Sequence, residues 1–154
     1  MSIVIELQNN TTSEEIPSLS QFTQWTQKTL SMVPKSTDEN KISLTIRIID
    51  EAESASLNQT YRQKKGPTNI LSFPDDPIPG FISDSLGDLA ICAPLVLQEA
   101  NAQHKQTEAH WAHLLVHGVL HLLNYDHIND EDAEVMEALE IKILEKLGYN
   151  NPYE

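Results

Sequence analysis

At 154 residues with a formal net charge of −13 at pH 7, the chain is long enough for one domain around one sizeable core, and it is strongly acidic. Hydrophobic residues make up 40% and charged residues 21%, proportions typical of a globular protein and not of a disordered one. The charge argues against a protein that coats nucleic acid or anionic membranes nonspecifically, although it leaves room for a locally basic cleft.

The same sequence predicts a cytoplasmic protein that does not interact with a membrane. No apolar run approaches the ~18 residues that a transmembrane helix needs. The first residues have neither the basic segment nor the apolar core of a secretory signal. Cys92 is the only cysteine, so no disulfide can form within the chain and a reducing compartment is expected.

Hydrophobic periodicity predicts an α/β (α+β) fold, a single domain over residues 1–154 with a small mixed sheet of about four strands packed with about five helices. Asp50 is the expected N-cap of the second helix, and Gly148 the expected stop of the last. The irregular stretch 75–85 predicts a mobile surface loop. The expected elements are strands at 2–8, 43–50 and 86–92, a short strand that Pro74 stops, and helices at 20–32, 51–61, 94–103, 107–123 and 129–147.

Two of the six histidines, His117 and His121, are four residues apart on the helix predicted at 107–123. That spacing places both imidazoles on one helix face, about 40° apart around the axis. His127 follows a short turn in which Asn124 is suited to the left-handed conformation that ends a helix. Three imidazoles and an open fourth position are typical of a reactive zinc site, so these histidines are candidate ligands.

Several features of this segment have more than one interpretation. His113 is a rival ligand by spacing, but it lies about 12 Å along the axis from His121, too far for both to bind one ion well. Gly118 stands where zinc proteases of the His-Glu-x-x-His type carry a glutamate base, which argues against proteolysis. The glycine allows either close packing on a strand or a clear approach to the metal. Asp126 either orients an imidazole or forms the turn.

A basic patch formed by Arg62, Lys64 and Lys65 follows the second predicted helix. With Arg47, these are four of only ten basic residues in an acidic chain. A charge run at a helix end is usually a solvated face stabilised by the helix dipole. Here the contrast with the rest of the chain favours a phosphate-binding site, in which arginine holds the phosphate through two hydrogen bonds. The nearby Tyr61 is expected to take part in core or rim packing.

Three segments together carry a family resemblance. Segment 117–127 reads His-Gly-Val-Leu-His-Leu-Leu-Asn-Tyr-Asp-His, and Tyr61-Arg62 precedes the segment Thr-Asn-Ile-Leu-Ser-Phe-Pro at 68–74. Leu-Gly-Asp-Leu-Ala-Ile follows at 86–91. In these segments the chain resembles the bacterial YbeY family of rRNA maturation factors. Asn124 replaces that family's usual glycine, and Asn69 replaces a common aspartate, so no acid–base role is carried over to position 69.

The resemblance implies a single-strand-specific endoribonuclease that acts in 16S rRNA 3′-end maturation and ribosome quality control. It implies one zinc ion per chain on His117, His121 and His127, with Arg62 as a further catalytic residue beside His117 and His121. Lys64 and Lys65 would join Arg62 in binding RNA. The implied partners are single-stranded precursor 16S rRNA, a small-subunit ribosomal protein and an Era-type GTPase.

Two other functions remain open at this point. One is a non-catalytic ribosome-assembly factor, in which the metal is structural and the acidic surface docks on basic ribosomal proteins. The other is a metallohydrolase that acts on another substrate, because a three-histidine site does not by itself name its substrate. The sequence also does not choose between a water and the RNA 2′-hydroxyl as the attacking group.

Overall fold

The structure is a computed structural model that describes residues 2–13, 15–33, 41–75, 85–125 and 129–154. These residues form four strands and five helices. The predicted fold class is confirmed, and the predicted bounds lie within two residues of the observed ones. The predicted loop at 75–85 lies outside the described residues except for its two ends. In chain order the elements are β1 (Ser2–Asn9), α1 (Leu19–Met32), β2 (Lys41–Ile49), α2 (Glu51–Arg62), β3 (Ile70–Pro74), β4 (Ser85–Cys92), α3 (Ala93–Ala102), α4 (Thr107–Leu122) and α5 (Asp130–Leu147).

The strands form one mixed sheet in the order β1-β2-β4-β3. β1, β2 and β4 run parallel, whereas β3 runs antiparallel to β4. β3 therefore forms an edge of the sheet, and Pro74 at its end suits that position because proline cannot donate a ladder hydrogen bond.

The sheet separates a large core from a small one. Alternate residues of β2, such as Ile46 and Ile48, pack with apolar side chains of α1, α4 and α5. Ile49 belongs to the smaller cluster, against which Leu57 of α2 and Leu95 of α3 pack. The site described below forms at the side of the larger core, where α4 runs beside β3.

α4 is the buried central helix that its apolar sequence predicts, and Gly118 lets it lie close to the sheet. A Cβ atom at position 118 would stand 2.6 Å from Cδ1 of Ile70 on β3 and 2.9 Å from Cδ2 of Leu89 on β4. Both distances are shorter than carbon atoms tolerate, so the glycine makes room for two strands. Of the two interpretations that the sequence left open, close packing on the sheet is the one the structure supports.

Capping residues lie at the helix starts and stops that the sequence predicts. The Asp50 side chain accepts a hydrogen bond from the Glu53 backbone N–H at 2.8 Å and caps α2. Gly148 ends α5 with a φ of 94°, and Asn124 follows α4 with a φ of 72°, the left-handed conformation expected of it. Within the described ranges, no helix is both long enough and apolar enough to span a membrane.

Candidate active site

A cleft of about 1010 Å³ lies between α2, β3 and the end of α4. Tyr61 and Arg62 line it from the last turn of α2, and His117 and His121 line it from α4. β3 and the residues just before it supply the wall between these helices. The structure thus brings the predicted histidine pair and the predicted arginine, which are far apart in sequence, to one cavity.

The two histidines point their Nε2 atoms at one another. These atoms are 3.0 Å apart, and the ring centroids are 4.5 Å apart. Two nitrogen ligands of one tetrahedral zinc ion, each ~2.0–2.1 Å from the metal, stand about 3.3 Å from each other. The pair therefore has the spacing of two ligands of a single ion.

The third expected ligand, His127, lies outside the described residues, as does Asp126. Among the residues that the structure does describe, no group of three histidine, cysteine or acidic side chains is placed to hold a metal. The full ligand set of His117, His121 and His127 accordingly stays a prediction, whereas the convergence of its first two members is observed.

Glu140 of α5 contacts the ring nitrogen of His117 that does not face His121. Its side chain is fully buried, and its Oε1 lies 2.5 Å from Nδ1 of His117. Because an ionised carboxylate only accepts hydrogen bonds, Nδ1 must carry the proton, which leaves the Nε2 lone pair directed toward His121. A carboxylate that fixes the tautomer of a histidine in this way is the usual partner of a metal-ligating imidazole.

The ionised state of Glu140 follows from its partners. Burial by itself would raise the pKa of this carboxyl, but hydrogen bonds from His113, His117 and Tyr153 hold the pKa at about 2. His113 places Nε2 3.1 Å from Oε2, and the Tyr153 hydroxyl donates to that same oxygen. Burial, followed by the hydrogen bond to Glu140, raises the pKa of Tyr153, so this phenol stays protonated as the donor.

His113, the rival ligand by spacing, thus contacts Glu140 and not the other two histidines' Nε2 atoms. Its Nδ1 is buried and has no hydrogen-bond partner among the described residues. One turn earlier, His110 places Nε2 2.9 Å from Oε1 of Glu99, and Asn69 donates to the same oxygen at 3.1 Å. The Asn69 side-chain amide is therefore hydrogen-bonded to Glu99.

Side chains of α2 fix the loop that joins Arg62 to β3. The Ser54 hydroxyl donates to the Thr68 carbonyl at 2.7 Å and accepts from the Thr68 N–H at 2.9 Å. Asn58 donates to the Gly66 carbonyl at 2.9 Å. Gln63 ends α2 in the left-handed conformation with a φ of 54°. These contacts turn the chain back at once, so that the end of α2 and the start of β3 border the same cleft.

The basic patch divides between the cleft and its surroundings. Arg62 lines the cleft, whereas Lys64 and Lys65 are exposed on the following loop and do not line it. Arg47 lies elsewhere, on β2, where it forms an ion pair with Glu53 at 3.1 Å. Tyr61 packs edge-on against Phe73 with ring centroids 5.1 Å apart, yet 61% of it is exposed at the cleft. The contact with Phe73 confirms rim packing, and the rest of the ring stays available.

Comparison with known proteins identifies the family of this chain. A family model described as Endoribonuclease YbeY matches residues 6–148. The proteins named Endoribonuclease YbeY from Coxiella burnetii strains Dugway 5J108-111 and RSA 493 / Nine Mile phase I are each 63% identical to this chain over 152 residues, 99% of this chain and 99% of the relative. The chain belongs to the YbeY family. The solution structure of TM1509 from Thermotoga maritima shares the YbeY-like fold, with a TM-score of 0.61 and 23% identity over 94% of this chain and 89% of that one.

The three segments that resemble the YbeY family have distinct places in this fold. Segment 68–74 forms the wall of the cleft, and the first residues of segment 117–127 supply the paired imidazoles. Segment 86–91 lies in β4 beneath them, where Gly87 has a φ of 131°. A Cβ at Gly87 would stand 2.3 Å from the Phe73 carbonyl oxygen, so this glycine permits β3 to pair with β4.

Proposed function

We propose that this protein is a metal-dependent, single-strand-specific endoribonuclease that acts in 16S rRNA 3′-end maturation and ribosome quality control. The observation that carries the proposal is the shared cleft of His117, His121 and Arg62. A pair of converging imidazoles and an arginine are the groups that cleavage of a phosphodiester needs at one place. The name Endoribonuclease YbeY, borne by relatives that match 99% of the chain, supports RNA as the substrate.

His117, His121 and His127 would hold one zinc ion. The donor set fits this metal because imidazole nitrogens are among its preferred ligands and because Glu140 fixes the tautomer of His117. Zinc bound by three neutral ligands supplies Lewis-acid chemistry at neutral pH. The chain itself contributes the orientation of the pair, which comes from one rigid, buried helix.

Arg62 would bind the phosphate beside the pair and offset the negative charge that grows on it during cleavage. Its guanidinium always carries a charge and presents a planar fork that matches phosphate oxygens. Lys64 and Lys65, exposed just outside the cleft, would attract the RNA backbone on either side. Because the whole chain carries a net charge of −13, we expect weak RNA binding that depends on this local patch.

The exposed ring of Tyr61 favours single-stranded RNA over a duplex as the substrate. Its ring is held by Phe73 and remains largely exposed at the cleft, which suits it to stack on a nucleobase. An unpaired base can turn out of its stack to reach such a ring without breaking a base pair, whereas a paired base cannot. A duplex would present its phosphates to Arg62 without placing a base on Tyr61.

The acidic surface is suited to a basic partner, which agrees with a small-subunit ribosomal protein as a docking site and an Era-type GTPase as a second factor. We place this activity in the cytoplasm as one domain over residues 1–154. The lone Cys92 is buried, and burial raises the pKa of its thiol, so it is not proposed as a nucleophile.

The test combines metal analysis with cleavage of single-stranded 16S precursor by purified protein. We expect His121→Ala to abolish cleavage while the circular dichroism spectrum stays native, and Arg62→Ala to reduce the rate about 10²–10³-fold. Arg47→Ala is the matched control, because Arg47 is an exposed arginine that does not line the cleft. Cleavage that persists in folded His121→Ala would identify a contaminating nuclease. A metal-loaded wild type that cuts no RNA would leave a non-catalytic assembly factor.

A further inference from the structure

The segment after α5 folds back onto the carboxylate that holds His117. Gly148 ends the helix, and Lys105, in the loop between α3 and α4, donates to the Pro152 carbonyl at 2.5 Å. The Tyr153 backbone N–H donates to Oδ1 of Asn151 at 2.8 Å. Lys105 thus ties the tail to the rest of the protein next to Tyr153, and the bond to Asn151 turns the tail on itself at that residue.

We propose that Tyr153 is a positioning residue of the metal site: its hydroxyl fixes the carboxylate of Glu140 and, through Glu140, the ring of His117. The inference rests on the proposed function, in which His117 is a metal ligand. It assigns a role in metal binding to the penultimate residue, which does not itself line the cleft.

A buried carboxylate needs a hydrogen-bond donor for each of its oxygens. Glu140 is fully buried, and its two oxygens together offer about four acceptor positions. Oε1 accepts from His117, and Oε2 accepts from both His113 and Tyr153. An ionised carboxylate without water must be satisfied by such donors, so the loss of one weakens its hold on the other two groups.

The hydroxyl, and not the ring, makes the contact that matters. Tyr153 is 47% exposed, so its ring buries modest area, with an edge-on contact to His113 at a centroid distance of 5.4 Å. Its hydroxyl, by contrast, reaches both Glu140 and, at 3.4 Å, Nε2 of His113. Removal of one oxygen atom therefore separates positioning of the carboxylate from packing of the tail.

A cavity beside this contact explains why the tail is needed. A space of about 300 Å³ is lined by Tyr153, Lys105, His113 and His117, among others. Both imidazoles that contact Glu140, those of His113 and His117, border this space, although Glu140 itself does not. With Tyr153 displaced, water from this space would compete for Oε2, and the carboxylate would hold His117 in a less defined orientation.

The experiment measures metal binding in the full chain. Zn²⁺ affinity is obtained by competition with a chelator, and the visible spectrum of the Co²⁺-substituted protein reports the ligand geometry. We expect Tyr153→Phe to weaken Zn²⁺ binding about 10-fold and to alter the Co²⁺ spectrum. Tyr149→Phe is the matched control: it is a tyrosine of the same tail, but its hydroxyl donates to Glu108 and not to Glu140. It should change neither quantity.

A double variant tests the route of the effect. If Tyr153 acts through Glu140, then adding Tyr153→Phe to Glu140→Gln weakens Zn²⁺ binding no further. Unchanged Zn²⁺ affinity and an unchanged Co²⁺ spectrum in Tyr153→Phe, with binding lost in His121→Ala, would overturn the role of Tyr153 alone. Zn²⁺ binding that His121→Ala leaves intact would overturn the metal site itself, and this inference with it.

Discussion

Oε1 of Glu140 lies 2.5 Å from Nδ1 of His117, so the last helix determines which ring nitrogen of the central helix faces the cleft. The contact couples packing to chemistry. α5 adds apolar side chains such as Met136 and Ile143 to the core, and in the same stripe it carries the charge that the imidazole needs. Any shift of α5 against α4 would therefore change the orientation of the His117 ring in the histidine pair.

Replacing Glu140 with glutamine tests this coupling directly. The amide keeps the size of the side chain but loses the charge, and its NH₂ group would face donors at a position where the carboxylate accepted hydrogen bonds. We expect Zn²⁺ affinity to fall about 10–100-fold, measured by competition with a chelator. Glu99→Gln is the control, because Glu99 accepts from His110 in the same way without touching the pair. An equal loss in Glu99→Gln would show that general loosening of the fold is responsible.

Removing the aromatic face at Tyr61 should weaken RNA binding without changing its electrostatic part. Base–aromatic stacking is worth about 1–3 kcal/mol, so Tyr61→Ala should raise the Kd for a single-stranded oligonucleotide roughly 5–150-fold. Tyr61→Phe retains the ring and should bind nearly as the wild type does. Fluorescence anisotropy at several salt concentrations supplies the measurement.

The salt dependence separates Tyr61 from Arg62. Stacking does not release counterions, so the slope of log Kd against log salt should stay the same in Tyr61→Ala. Arg62→Ala should lower that slope by about 0.7 for each phosphate of the single strand that the guanidinium neutralises. A reduced slope in Tyr61→Ala would mean that the tyrosine acts by positioning Arg62 and not by stacking.

Replacing Gly118 with alanine has two opposing effects on stability: a gain in helix propensity and a cost from overpacking. Alanine in place of glycine gains about 1 kcal/mol of helix propensity. Overpacking against Ile70 and Leu89 costs about 1–3 kcal/mol, so Gly118→Ala should lower the free energy of unfolding by up to about 2 kcal/mol. Urea denaturation monitored by tryptophan fluorescence measures the difference.

A second substitution checks the cause of that penalty. Ile70→Val deletes the Cδ1 atom that lies nearest to the added methyl group. The double variant Gly118→Ala/Ile70→Val should therefore recover part of the stability that the glycine substitution loses. Losses that simply add in the double variant would place the penalty elsewhere.

Local signals in the sequence predicted much of this protein, because they act within a few residues. Strand and helix periods, the Asp50 cap and the left-handed Asn124 each depend on near neighbours, and the structure confirms them. The i, i+4 spacing likewise predicted that His117 and His121 share a helix face, and their Nε2 atoms do converge. The choice between two roles for Gly118 required its contacts with two strands that are distant in sequence.

The partners behind the histidine pair were missed for the same reason. Glu140 and Tyr153 reach His117 only because α5 packs on α4 and the tail folds back. One signal was present: Glu140 falls in the stripe of Met136 and Ile143, where a charged residue has no place unless it is paired. Nothing comparable distinguishes Tyr153 in the sequence.

Because His110 is buried, we expect the protein to lose stability as the pH falls through the range in which histidine titrates. Burial lowers the pKa of this imidazole below its ordinary value of 6.5, and the hydrogen bond to Glu99 only partly opposes that shift. Below about pH 6.5 the unfolded chain therefore takes up a proton at this position that the folded chain does not. The unfolded state is stabilised, so the contribution of His110 is complete above its unfolded pKa and is lost as the pH falls toward its folded pKa.

His110→Gln should remove this pH-dependent contribution. The free energy of unfolding, measured by urea denaturation between about pH 7 and about pH 5, should fall less steeply in the variant, by at most about 1.4 kcal/mol per pH unit for one proton. The exposed His104 provides the control, since His104→Gln leaves the buried imidazole in place. If the wild-type and His110→Gln curves run parallel across this range, then the folded protein protonates His110 as readily as the unfolded chain does, and burial does not govern its charge.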